Sequence, residues 1–338
     1  MTILAVSMEE PGRVSLVRRP RKELWPGAVR VKVQACGICT LEKRIFSGAL
    51  NLGYPIVAGH EVGGVIAEVG EQVLGDFQPG QRVALDLLTR CGQCHWCRRG
   101  HTNHCENRFK GRNGMLGGFS EEAVVPAREV FVLPEAVPPQ VATLAEPLAD
   151  CLHCLSRAGL NHQDPVAVVG LGVMGQMHMA LLAHLGHAVL GVDPVEAKRG
   201  LALELGARAA LAPGEAVEAM GEMSRGYGAS SVIVTAPQAE ALELGINLLG
   251  KGGTLVTYSS YGAAERLNLD LNRLHYQEIT LTGTEGRTEL DFERAVGLLA
   301  AGSLDISRLV SRTYPAQEAA QAFQAAQDPD LYRVVLTF

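Results

Sequence analysis

Half of the chain's eight cysteines, Cys91, Cys94, Cys97 and Cys105, stand in one polar stretch, CGQCHWCRRGHTNHC. Two chemistries suit that crowding, a pair of disulfides or one tetrathiolate metal site. Disulfides replace a core in small secreted domains, but 338 residues can bury a large core of their own. The opening segment, MTILAVSMEEPGRVSLVRRP, lacks a basic stretch followed by an apolar run, so the expected location is the cytoplasm, where thiols stay reduced. The C-x2-C-x2-C-x7-C spacing lets one loop fold four sulfurs around a tetrahedral ion. A structural zinc is therefore expected on these four cysteines. The neighbouring His95, His101 and His104 are left outside a shell that the sulfurs already fill.

A second chemistry is written in GLGVMG, residues 170–175. A G-x-G-x-x-G turn is weak by itself, but here an apolar run precedes it, an apolar helix-like stretch follows, and Asp193 closes the next apolar run. Gly170 would allow the tight turn, Gly172 the approach of backbone to a pyrophosphate, and Gly175 close helix packing. The helix N-terminus, starting at Val173 and Met174, would offer unpaired amides to the phosphates. Asp193 would accept hydrogen bonds from the adenosine ribose and repel a 2′-phosphate, which favours NAD over NADP. Lys198 and Arg199, one turn into the next helix, keep NADP as the lesser expectation.

Elements must hold these groups. Val166–Val169, Gly turn, apolar helix and Ala188–Val192 follow the βαβ order, so the charge-free stretch from Pro165 to Val192 is not a membrane span. Further strands are expected at Ser231–Ala236, Thr254–Ser259 and Ile279–Gly283, with a helix at Gln238–Leu249, giving an open parallel sheet of about six strands. The length suggests two domains. A net charge of -6 offers no basic face for nucleic acid or an acidic membrane, and argues against a nucleic-acid zinc finger. Cys36, Cys151 and Cys154 read as buried, inert thiols.

Upstream lie VQACGICTLEK and YPIVAGHEVGG, and after the cysteine loop come GGFSEEAVV and TLAEPLADCLH. With the cysteine loop and the glycine turn, these occur in the order of the zinc-containing medium-chain dehydrogenase/reductase superfamily, which the chain resembles over nearly its whole length. The resemblance implies an α/β fold with a doubly wound parallel Rossmann sheet, residues 151–285, inserted into a mainly β, GroES-like catalytic domain, residues 1–150 and 286–338. It implies a catalytic zinc on Cys39, His60 and Glu146, hence two zinc ions per chain, in a cleft between the domains. Glu61 is implied as a supporting or alternating ligand, and Glu42 as the carboxylate that orients the zinc histidine.

Three mixed ligands leave a zinc position open, and the metal makes an alcohol easier to deprotonate, after which hydride can pass to the nicotinamide. The implied activity is oxidation of a secondary alcohol, polyol or hydroxy-amino acid, or reduction of the ketone. A homodimer or homotetramer is the family-level expectation. Leu41 departs from the pattern, standing where many relatives carry the hydroxyl of a proton relay. A retired NAD-binding sensor and a zinc-binding module are the alternatives, and metal content separates them from the enzyme.

Overall fold

A computed structural model describes residues 1–108, 117–161 and 164–338. The chain divides into two compact units, Met1–Ala149 with Arg287–Phe338, and Asp150–Gly286. The second unit is thus inserted in sequence between the two parts of the first.

The first unit is mainly β. Its seven-stranded sheet runs in the order Val310–Pro315, Arg333–Thr337, Ala28–Ile38, Glu61–Val69, Arg82–Asp86 and Val130–Leu133, with Glu122–Pro126 also paired to Ala28–Ile38. The alternation of Val29, Val31 and Val33 with Arg30, Lys32 and Gln34 puts the three valines in the core at 0% exposure. Phe119 and Phe323 pack edge to face in that core, with ring centroids 5.7 Å apart. Register decides what meets at one end of this sheet. Gly37 pairs with Glu61, Glu61 with Asp86, and Val334 with Ile38. Residues distant in sequence, Cys39, His60, Asp86 and Arg333, are brought by these pairings to one sheet end.

The second unit holds a six-stranded sheet whose paired strands are all parallel, in the order Ala209–Leu211, Val189–Val192, Val166–Val169, Ala229–Val234, Leu249–Thr257 and Thr280–Gly283. All four residues of Val166–Val169 are buried, as a central parallel strand requires. This is the doubly wound order, and the chain reverses direction across the sheet beside Val166–Val169, where such folds bind nucleotides. The charge-free stretch resolves into strand, helix Val173–His184 and strand; no helix among the described residues is long and apolar enough to cross a membrane.

Strand boundaries differ locally from those read in the sequence. Leu249–Thr257 begins five residues before the expected Thr254, because Gly250 supports close backbone approach: a Cβ there would lie 2.1 Å from the Tyr227 carbonyl oxygen. The strand expected at Ser231–Ala236 is Ala229–Val234, and Ala209–Leu211 is an edge strand that no periodicity announced. The helix expected at Gln238–Leu249 spans Ala239–Leu248, with Gln238 as its N-cap.

Candidate metal centre and dinucleotide turn

Glu42 organises the first cluster. The helix Thr40–Phe46 starts with Cys39 as N-cap, whose sulfur accepts from the Leu41 amide at 3.2 Å, while Glu42 Oε2 accepts from the Cys39 amide at 3.1 Å. The other carboxylate oxygen accepts from the Gly59 amide at 3.2 Å and lies 2.8 Å from His60 Nδ1. One fully buried carboxylate therefore fixes the position of Cys39 and the ring of His60. His60 Nε2 faces the Cys39 sulfur at 3.4 Å and Glu146 Oε1 at 3.8 Å, and with a metal bound there the Glu42 contact would keep the proton on Nδ1.

Glu146 is in the first turn of the helix Ala145–Ser156, and Glu61 opens the strand that follows His60. Candidate ligand atoms of His60, Glu61 and Glu146 lie within 4.8 Å of one another, as do those of Cys39, Glu42 and His60. Two arginines enclose the carboxylates. Arg333 donates to Glu61 at 2.8 Å and to the Ile38 carbonyl at 3.1 Å. Arg287 Nη1 donates to Glu146, while its Nε and Nη2 donate to Asp86 at 3.1 and 2.7 Å. Asp86 is held from its other side by Arg90 at 2.6 Å, and the Arg287 guanidinium lies 5.6 Å from the Phe292 ring centroid. These arginines were not singled out from the sequence. For Arg333 the signal is an isolated arginine in an apolar run, YRVVLTF, which is faint without the fold; the polar TEGRTE around Arg287 offers none.

Buried acidic groups crowd this cluster. Burial, reinforced by Glu42 and opposed by His60, pushes the Cys39 thiol up to about 12. Burial likewise raises Glu61 to about 7, against the pull of Arg333. At His60 burial is the largest influence and disfavours charge, but Glu42, Cys39 and Glu146 outweigh it and hold the imidazole well above its ordinary range. Glu61 Oε2 is buried with no hydrogen-bond partner among the described residues. The C-G-I-C glycine makes room for it, since a Cβ on Gly37 would sit 2.1 Å from that oxygen. A thiol, an imidazole nitrogen, two carboxylates and an unsatisfied oxygen in a buried site fit a divalent cation, which would favour the thiolate and offset the negative charge.

The second cluster gathers the sulfurs of Cys91, Cys94, Cys97 and Cys105 within 4.8 Å, with all four cysteines free of disulfides. Backbone amides already point at the sulfurs. Cys105 Sγ accepts from the amides of Cys91 and Asn107, and Cys91 Sγ from that of Cys94, each at 3.3 Å. The Asn107 side chain and the Gln93 and Cys94 amides lower the Cys91 thiol to about 6, whereas burial raises Cys97 to about 12. The rings of His95, His101 and His104 pack around Trp96 at 5.1, 6.3 and 5.8 Å between centroids. Cys36, Cys151 and Cys154 are buried at 0% exposure.

In the second unit, Gly170 adopts φ +94°, and a Cβ there would lie 2.8 Å from the Ala236 amide nitrogen. A Cβ on Gly175 would meet the Gly170 carbonyl oxygen at 1.9 Å, so the helix start is pressed onto the turn. Gly172 caps the helix Val173–His184 without a side-chain hydrogen bond and faces open space. The first-turn amides of Val173 and Met174 thus suit an anion. Asp193 directly follows the neighbouring strand Val189–Val192, 7% exposed, accepting from the Leu171 amide at 2.8 Å and the Val195 amide at 2.9 Å.

Residues 25–135 match the alcohol dehydrogenase GroES-like domain family, and residues 173–301 match the zinc-binding dehydrogenase family. A 2-dehydro-3-deoxy-L-galactonate 5-dehydrogenase of Pseudoalteromonas atlantica is 30% identical over 88% of this chain and 87% of its own. The chain belongs to the zinc-containing medium-chain dehydrogenase/reductase superfamily. A sorbitol dehydrogenase of Halalkalibacterium halodurans is 27% identical over 100% of this chain and 99% of its own. A solved zinc-binding dehydrogenase of Sinorhizobium meliloti, bound to NADP, superposes with a TM-score of 0.91 at 29% identity, covering 100% of both chains. The superfamily member described here is an oxidoreductase of alcohol and carbonyl pairs that uses a nicotinamide dinucleotide.

Proposed function

We propose that this member oxidises a secondary alcohol, polyol or hydroxy-amino acid with NAD, or reduces the corresponding ketone with NADH. Cys39, His60 and Glu146 would hold a catalytic zinc, and Cys91, Cys94, Cys97 and Cys105 a structural one. The position of His60 Nε2, 3.4 Å from Cys39 Sγ on one side and 3.8 Å from Glu146 Oε1 on the other and so shared by two metal-capable groups, carries this reading. A relative that acts on a polyol, sorbitol, supports a polyhydroxylated substrate.

When bound, zinc supplies a Lewis acid that lowers the pKa of an alcohol hydroxyl, and the nicotinamide supplies the hydride acceptor. The chain's own groups do the rest. With zinc bound, the Glu42 contact at Nδ1 would orient the imidazole so that Nε2 serves as the lone-pair donor. Arg287 aligns Glu146, and Arg333 holds one oxygen of Glu61 while leaving the other turned inward. Gly172 and the first-turn amides would cradle the pyrophosphate, and Asp193 would accept from the adenosine ribose.

Metal analysis combined with an oxidation screen tests the reading. About two zinc ions per chain and NAD reduction by at least one polyol or secondary alcohol are expected, on the usual closed-plus-open pairing of zinc sites. About one zinc and no turnover across the screen would overturn it. The structural site has its own test: Cys97→Ala should lose about one zinc per chain and melt at lower temperature, because a thiolate lobe of this kind folds around its ion. An unchanged melting temperature with full metal content would remove the zinc from that lobe.

A further inference from the structure

Behind Arg287 stands a carboxylate that no metal-ligand role requires. Asp86, fully buried at the end of the strand Arg82–Asp86, lies opposite Glu61 in the sheet register. Its Oδ1 accepts from Arg287 Nε at 3.1 Å and Nη2 at 2.7 Å, a two-pronged contact that turns the remaining nitrogen, Nη1, onto Glu146. Its Oδ2 accepts from Arg90 Nη1 at 2.6 Å, while Arg90 Nη2 donates to the Arg287 carbonyl oxygen at 3.0 Å. The four side chains are 7% exposed or less, and all belong to the first unit.

Two guanidiniums thus face two carboxylates where water screens little of their charge. Arg287 is shared between the two acids. Glu129, also buried, adds less than a full charge near neutral pH, because burial and then the Asp86 charge raise its carboxyl to about 7 against Arg128 and Arg90. Without the charge on Asp86, the positive charge of both arginines would fall on Glu146, and a dication beside Glu146 would be repelled. We infer that Asp86 is a positioning residue: it aims Arg287 and divides that guanidinium's charge, so that Glu146 stays negative enough to hold a divalent cation. The inference rests on the proposal that Glu146 belongs to a metal site.

Competition of the full-length chain with a chromophoric zinc chelator tests it without turnover. Asp86→Asn keeps the shape and removes the charge, and it should weaken one of two bound zinc ions by about 10- to 100-fold, the usual cost of losing a partner behind a metal ligand. The zinc of the four-cysteine lobe should be unaffected, and its retention shows that the variant is folded. Arg90→Met, added to Asp86→Asn, removes one cation and restores the balance, so the double variant should bind the affected zinc more tightly than Asp86→Asn alone. A residue that only props up the fold would give the opposite order. Arg90→Met by itself should bind that zinc at least as tightly as wild type, and it decides the matter if Asp86→Asn does not fold. Unchanged affinity in Asp86→Asn, a double variant weaker than Asp86→Asn, or weakened binding in Arg90→Met would each overturn the role of Asp86 and leave the metal site standing. A wild-type chain that binds zinc only at the four cysteines would overturn both.

Discussion

Arg287→Met is expected to destabilise the protein by about 3–5 kcal/mol, the range for removing one partner from a buried ion pair. For a unit of this size that is a fall in melting temperature of roughly 6–20 °C. The reason is the number of buried anions that this guanidinium serves. Its side chain is 4% exposed, and it donates to both Asp86 and Glu146. Methionine fills much of the same volume, so little of the loss comes from a cavity. Asp86 keeps Arg90 at 2.6 Å, but Glu146 loses its guanidinium partner. A zinc ion ligated by Glu146 would take over that neutralisation. The destabilisation, measured as variant against wild type, should therefore be larger after chelation than with zinc added. Calorimetry in the two conditions decides it. A shift below about 1 kcal/mol in the chelated protein, the size typical of exposed pairs, would show that Arg287 is not the main counter-charge of this site.

What could be read from the sequence was what the chain does locally. The glycine turn is one short segment, and each glycine's role follows from backbone sterics: Gly170 takes a positive φ, and Gly175 admits nothing larger against the Gly170 carbonyl. The four-cysteine loop is equally local, so its spacing alone brought the sulfurs together. Cys39, His60 and Glu146 came from motif order and not from spacing, because 107 positions separate Cys39 from Glu146. Arg287 and Arg333 escaped altogether. Their partners are reached only through strand pairing and chain return, Arg287 to Glu146 across 141 positions and Arg333 to Ile38 across 295. An arginine reads as solvated in a sequence, and only burial turns it into a counter-charge. Asp193 was legible as a residue, but not its two amide contacts, and those change the balance of charge that a 2′-phosphate would feel.

Which carboxylate would serve the proposed catalytic zinc is the question with the largest expected effect on turnover. Glu146→Gln should lower kcat by more than about 100-fold, beyond the 10–100-fold usual for groups that only support a ligand, while nucleotide affinity changes little. The substitution keeps size and shape but removes the negative charge facing His60 Nε2, and it leaves the glycine turn untouched. Glu61→Gln is the necessary companion. Glu61 already has Arg333 on one oxygen, and its other oxygen is buried without a partner, so it is placed either to approach the metal or to stand behind Glu146. If Glu146 is the ligand, Glu61→Gln lowers kcat within the supporting range and retains the second zinc, whereas Glu146→Gln also weakens zinc retention under chelator challenge. The reverse ranking, with Glu146→Gln retaining both zinc and turnover, would transfer the ligand role to Glu61. Both outcomes can be read in one experiment, because zinc retention is measured on the same samples as kcat. The orphaned Glu61 oxygen and the Arg287 contact to Glu146 would then receive a single account: two carboxylates would face one cation, and the two arginines that now hold them would keep them in place without it.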